Sequence, residues 1–184
     1  PYVAAAGAVA LNALAVWAAG RYAFDAETRA HAVEAAVVLS AFVLASVTHA
    51  LVGYERERIW IDLTSGVTPE DFPRAKLWLG RLLALPAFAL GCVSAVAAGV
   101  PLDAGEVGQL AILSWMTATM TAVLCYELKE RPVAGLVLAF LPAAGLSLLV
   151  VLYPPFHILW YMALFGYFYA LFQLMERARL KVEW

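Results

Sequence analysis

Residues 54–81, YERERIWIDLTSGVTPEDFPRAKLWLGR, decide how the rest of the chain is read. The stretch opens on an alternating Glu-Arg-Glu-Arg run and holds five of the twelve basic residues: Arg56, Arg58, Arg74, Lys76 and Arg81. It is the longest polar interruption in a sequence that is otherwise almost wholly apolar. The runs on either side, about 18–24 residues each, match the ~20 residues a helix needs to cross the hydrocarbon of a bilayer.

Composition excludes an ordinary soluble domain. Of 184 residues, 64% are apolar and 14% charged, against roughly 45–50% and 25% in soluble domains. Six spans can be drawn, over 3–20, 32–52, 77–100, 107–128, 133–152 and 156–175. They read as helices, because a membrane barrel would alternate polar and apolar residues and these runs do not. The expected fold is therefore an all-α polytopic membrane bundle in a single domain. The alanines and glycine of the first span (Ala4, Ala5, Ala6, Gly7, Ala8 and Ala10) are expected to place it inside the bundle, since small residues let backbones approach in lipid. Cys92 and Cys125 fall inside apolar runs without metal or redox spacing and read as small core residues.

Net charge is −2, which offers nucleic acid no attraction; the distribution of charge is more telling than its sum. The loops after spans two and four, with the tail, carry Arg56, Arg58, Arg74, Lys76, Arg81, Lys129, Arg131, Arg177, Arg179 and Lys181. The opposite loops hold only Arg21 and Arg29. The positive-inside rule then puts both termini and the 54–81 loop in the cytoplasm of a multi-pass plasma-membrane protein, of the prokaryotic inner-membrane kind. The chain starts at Pro1 rather than Met, so further residues are expected to precede it.

Few residues invite chemistry. His31, Glu34, His49, Arg81 and Glu106 lie near span ends, within snorkelling distance of water, and the lack of a charge at midplane speaks against an ion pump that relies on a buried carboxylate. His31 and His157 share the outer side, so a b-type haem could be clamped between them if spans two and six were neighbours; the competing reading is two unrelated interfacial histidines. Ser114, Thr117 and Thr121 fall on one helical face, lining a path or bonding a neighbouring helix. Asn12 and Gln173 invite the same pair of readings. No hydrolase, metalloprotease or nucleotide-binding motif is present, so no catalytic residue is expected and any ATP belongs to another chain.

The loop divides in two. Ile59, Trp60 and Leu63 are spaced as an amphipathic turn lying at the membrane surface. Thr64, Ser65 and Gly66 break it, and Thr68, Pro69, Glu70 and Asp71 read as a helix start, with an N-cap, a proline at the first position and acids in the first turn.

With Glu55, Ile59, Leu63, Ser65, Glu70, Ala75 and Lys76 at matching positions, the segment resembles the link between helices two and three of type-2 ABC exporter permeases. The nearest spacing is in the haem-exporter-like permeases of cytochrome c maturation. Six spans and cytoplasmic termini match as well. The resemblance implies a permease without its own ATPase or cofactor, paired with a second permease subunit and an ATP-binding cassette subunit. It also implies a hydrophobic or amphipathic cargo moved by alternating access. Glu55, Glu57, Arg58, Trp60 and Leu63 would be the coupling residues, and Asn12, Ser114, Thr117 and Thr121 would line the path. The chain departs from the family where Glu57 and Arg58 replace a pair of small residues and Gly66 replaces the turn proline. An amphipathic surface helix usually precedes the first span in the family; the sequence from Pro1 does not include it, consistent with the expectation that further residues precede Pro1. A membrane cytochrome and a non-transporting structural subunit of a larger membrane complex are the alternative readings.

Overall fold

A computed structural model of the chain describes residues 2–22, 24–48 and 71–127, with residues 137, 141, 144, 145, 162 and 166 in addition. Four helices follow in order: α1 (Tyr2–Arg21), α2 (Ala26–Ala45), α3 (Asp71–Ala97) and α4 (Ala104–Glu127). All regular structure among the described residues is α-helical. Three stretches are long and apolar enough to cross a membrane: α1, α2 and Trp78–Ala97 of α3. The helical membrane architecture expected from the sequence is therefore present over this part of the chain. Spans five and six and the surface helix of the 54–81 loop lie outside the described residues.

Helix ends differ from the sequence expectation for identifiable reasons. α2 starts at Ala26, not 32, because Asp25 caps it: its side chain accepts from the Thr28 amide at 3.2 Å. The cap draws the polar trio Glu27, Arg29 and His31 into the helix. Asp103 does the same for α4, with Oδ1 accepting from the Glu106 amide at 2.8 Å, which moves that start from 107 to Ala104. Carboxylates at these positions also suit the helix dipole. The hydroxyl of Thr28, ahead of its backbone amide, holds the Asp25 carboxyl below its ordinary range. Its capping contribution is accordingly present at neutral pH and lost as pH falls through that lowered value.

α3 stops at Ala97, short of the expected 100. Gly99 adopts φ 72°, its amide donates to Val96 O at 3.1 Å and the Val100 amide to Ala95 O at 2.9 Å. That pair of bonds is the glycine-terminated helix end in which a left-handed residue closes the last turn. Pro86 lies inside α3 and leaves one carbonyl without its usual intrahelical donor.

α1 and α2 form one hairpin and α3 and α4 another, and α2 packs against all three other helices. Burial identifies the central helix: 61% of the α2 window is buried, against 17% for α1. The small residues of α1 do not take it inside. Only Ala8, Asn12 and Ala19 of this helix are buried, one narrow stripe, and Val9, Leu14 and Trp17 remain exposed. Small residues permit close approach on any face, but a helix can be central only where neighbours cover several faces.

Two apolar clusters lie along the bundle. Ala8, Ala41, Leu44, Ala45, Ala84, Ala87 and Ala118 bring all four helices together through side chains no larger than leucine. Nearer the hairpin turns, Ala19, Val33, Val37, Ala95, Ala98, Val100 and Leu110 form the second, with Cys92 at its edge. Contacts this close need glycine at two points. A Cβ on Gly91 would overlap Val37 Cγ2, and one on Gly80 would lie 2.6 Å from Ala122 Cβ and 3.2 Å from Ala118 O. Because the Gly80 obstruction includes a backbone atom, it cannot turn aside.

Gly80→Val and Gly91→Val are therefore expected to destabilise the bundle by about 1–3 kcal/mol each through overpacking. Gly108→Ala, where a Cβ meets nothing within 4 Å, should be neutral. Thermal unfolding of the detergent-solubilised chain measures all three.

Candidate functional site

In α1, ten residues after Tyr2 and nine before Arg21, stands Asn12, 3% exposed. That position is the middle of a membrane-length helix, where an unsatisfied amide has no water to turn to. Every polar atom of the side chain is engaged. Nδ2 donates to Ala8 O at 2.9 Å and to Ser40 Oγ on α2 at 2.7 Å, and Oδ1 accepts from Ser94 Oγ on α3 at 2.9 Å. Ser40 in turn donates to Ala8 O at 3.2 Å. Three helices are thus joined through one amide, with directions that agree throughout: each hydroxyl donates once, and Ser40 also accepts.

A second polar cluster lies on α2 nearer the hairpin turns. His31 Nδ1 and Glu34 Oε2 are 2.7 Å apart, an i, i+3 pair with Glu34 only 1% exposed. Glu27 Oε1 stands 3.9 Å from Nε2 on the other side of the ring. Across the interface, Glu106 of α4 is within electrostatic reach of His31, and its Oε1 is buried without a hydrogen-bond partner. The snorkelling expected for Glu34 is not observed: its carboxyl turns into the bundle, because α2 is covered on this face and His31 Nδ1 lies within hydrogen-bond distance there. The imidazole gives the buried carboxyl a hydrogen-bond partner, which a low-dielectric interior requires. Close by, Arg29 Nη1 donates to Ala98 O at 3.1 Å and so ties the first hairpin to a carbonyl at the end of α3.

The hydroxyls of α4 behave differently. Ser114 donates to Ala111 O at 2.9 Å, Thr119 to Trp115 O at 2.7 Å and Thr121 to Thr117 O at 2.8 Å. Ser114, Thr119 and Thr121 are buried and Thr117 half-buried. These hydroxyl bonds run within the helix and leave α4 tied to its neighbours mainly by apolar packing. Of the four residues expected to line a path, Asn12 alone makes hydrogen bonds to other helices.

Neither Ser40 nor Ser94 was distinguished by the sequence reading. Each is a lone hydroxyl in an apolar run, as Asn12 is a lone amide, and that shared pattern was the available signal. His31 is engaged by two carboxylates. A carboxylate on Nδ1 is how a metal-ligating imidazole is often oriented, but Nε2 here faces Glu27, and the ring is only 7% exposed. His157, its supposed partner, lies outside the described residues, as do Glu55, Glu57, Arg58, Trp60 and Leu63. No group of three or more His, Cys, Asp or Glu side chains among the described residues is placed to hold a metal ion. Comparison with protein-family models, curated proteins and solved structures finds no match to the chain.

Asn12→Leu is expected to cost about 1–2 kcal/mol, the range of interhelical polar bonds in membranes. In a double-mutant cycle Asn12→Ala and Ser94→Ala should couple, and Asn12→Ala and Thr121→Val should add. Glu34→Gln, which keeps an acceptor for His31, should be milder than Glu34→Val, which removes it at about 1–3 kcal/mol. Unfolding in detergent reads both series.

Proposed function

We propose that the chain is the permease subunit of an ABC-type exporter, in which a separate ATPase drives alternating access and a second permease subunit completes the pathway. The observation that carries this reading is the 54–81 loop, with Glu55, Ile59, Leu63, Ser65, Glu70, Ala75 and Lys76 spaced as in the link of type-2 exporter permeases. A chain with no nucleotide-binding motif needs such a partner if it is to use ATP.

The helix packing supports the mechanical part of the proposal. The loop joins α2 to α3, so a partner pressing on it would act on both helices at once. At Gly91 the Val37 side chain of α2 packs against the bare backbone of α3, and both helices are bonded to Asn12. A displacement at the loop would therefore move a pair that is locked together at mid-membrane, together with α1. Such a rigid lever suits the rocking of one helix group against another that alternating access requires. Hydrophobic or amphipathic cargo is the class that the family resemblance implies.

Copurification tests the proposal. The detergent-solubilised protein should bring down a nucleotide-binding subunit, and Trp60→Ala or Glu57→Arg should abolish that recovery without altering unfolding. If the intact chain never recovers such a subunit, the permease reading is wrong. A Soret band in the same preparation would favour the cytochrome, and stable association with other membrane chains, independent of ATP, would favour a structural subunit.

A further inference from the structure

Arg81 occupies a setting that the transport reading leaves unused. Its guanidinium carbon lies 5.1 Å from the ring centroid of Trp78, one turn earlier on α3, and 5.5 Å from that of Trp115 on α4. Both indoles are on the outer surface of the bundle, 59% and 43% exposed. Arg81 itself is half-buried. Its Nε is buried and without a hydrogen bond, and neither an ion pair nor a hydrogen bond joins the guanidinium to any described residue. Arg29, whose Nε is likewise buried without a hydrogen bond, has a carbonyl partner through Nη1; among the described residues Arg81 has aromatic faces only.

A guanidinium is a permanent cation. Two indole faces attract it, each by about 0.5–2 kcal/mol, but they neutralise nothing. No described residue supplies the missing anion, and at a lipid-facing surface the bilayer offers one. The depth is suitable: the apolar stretch begins at Trp78, and Arg81 lies three residues further, about 4.5 Å along the axis, within reach of the headgroup layer by snorkelling. Trp78 marks the same boundary, where tryptophan is enriched. Arg74 and Lys76 precede Arg81 in α3, and each basic residue near an anionic surface adds about 1 kcal/mol of attraction.

We infer that Arg81, held between Trp78 and Trp115, binds the phosphate of an anionic phospholipid headgroup. The indoles fix the plane of the guanidinium so that its outer edge meets the phosphate, a two-point contact that lysine cannot reproduce. The site depends on the chain being membrane-embedded and is independent of the exporter proposal.

The test uses the full chain in nanodiscs of phosphatidylcholine alone and of phosphatidylcholine with phosphatidylglycerol, reading the thermal midpoint and the lipid retained in native mass spectrometry. Phosphatidylglycerol should raise the wild-type midpoint and stay bound. Arg81→Gln should lose most of that rise, and Arg81→Lys and Trp115→Leu part of it. A merely structural arginine would lower the midpoint equally in both bilayers, leaving the difference between them intact; that result overturns the site. Stabilisation by inorganic phosphate added to phosphatidylcholine discs would overturn the lipid assignment. Should Arg81→Gln fail to fold, Arg81→Lys and Trp115→Leu decide, and an undiminished phosphatidylglycerol effect in both overturns the proposal.

Discussion

Hydrocarbon offers no water to a polar side chain, and the Asn12 amide is where the described bundle meets that constraint most directly. Its donors and acceptor reach Ser40 and Ser94 on two other helices, so α1, α2 and α3 cannot part without leaving polar atoms bare. The alanine cluster beside it explains why these short bonds are possible. With Ala8, Ala41 and Ala84 between them, the helices lie close enough for a serine hydroxyl to span the gap. The polar bonds and the small side chains are therefore interdependent: enlarging an alanine would lengthen the bonds, and removing the bonds would leave the alanines little area with which to hold the helices.

The same logic orders the end of the bundle where the hairpins turn. Asp25 and Asp103 start two helices, Gly99 ends a third, and Arg29 links them by donating to Ala98 O. The His31–Glu34 pair lies just below, enclosed by the cover over α2. Towards the far end of α3 the bundle is differently made. Arg81 lies between Trp78 and Trp115 on the outer surface and has no hydrogen bond or ion pair to a described residue. At the hairpin-turn end Arg29 has a carbonyl partner, whereas among the described residues the Arg81 guanidinium meets aromatic faces alone.

If the 54–81 loop receives force from a partner, as proposed, that force reaches α2 and α3, which are in close contact at Val37 and Gly91 and are both bonded to Asn12. α1 follows through Asn12, while α4 is tied to its neighbours mainly by packing, its hydroxyl bonds running within the helix.

The apolar runs and their lengths by themselves determined that this is a helical membrane chain, because a helix in lipid satisfies its own backbone and needs only side chains that lipid accepts. The first three expected spans correspond to helices long and apolar enough to cross a membrane, and α4 lies over the fourth, with ends displaced by three to six residues at the capped starts of α2 and α4. Asp25 and Asp103, each three residues before its amide partner, could have located those starts. What the sequence could not contain was which residues face each other. A stripe of alanine permits an interior position without requiring one, so α1 lies at the edge and α2 at the centre. A serine in an apolar run looks the same whether it bonds its own helix, as Ser114 does, or a neighbour's amide, as Ser94 does. Those choices are made only when helices distant in sequence are brought side by side, and tertiary packing alone supplies them.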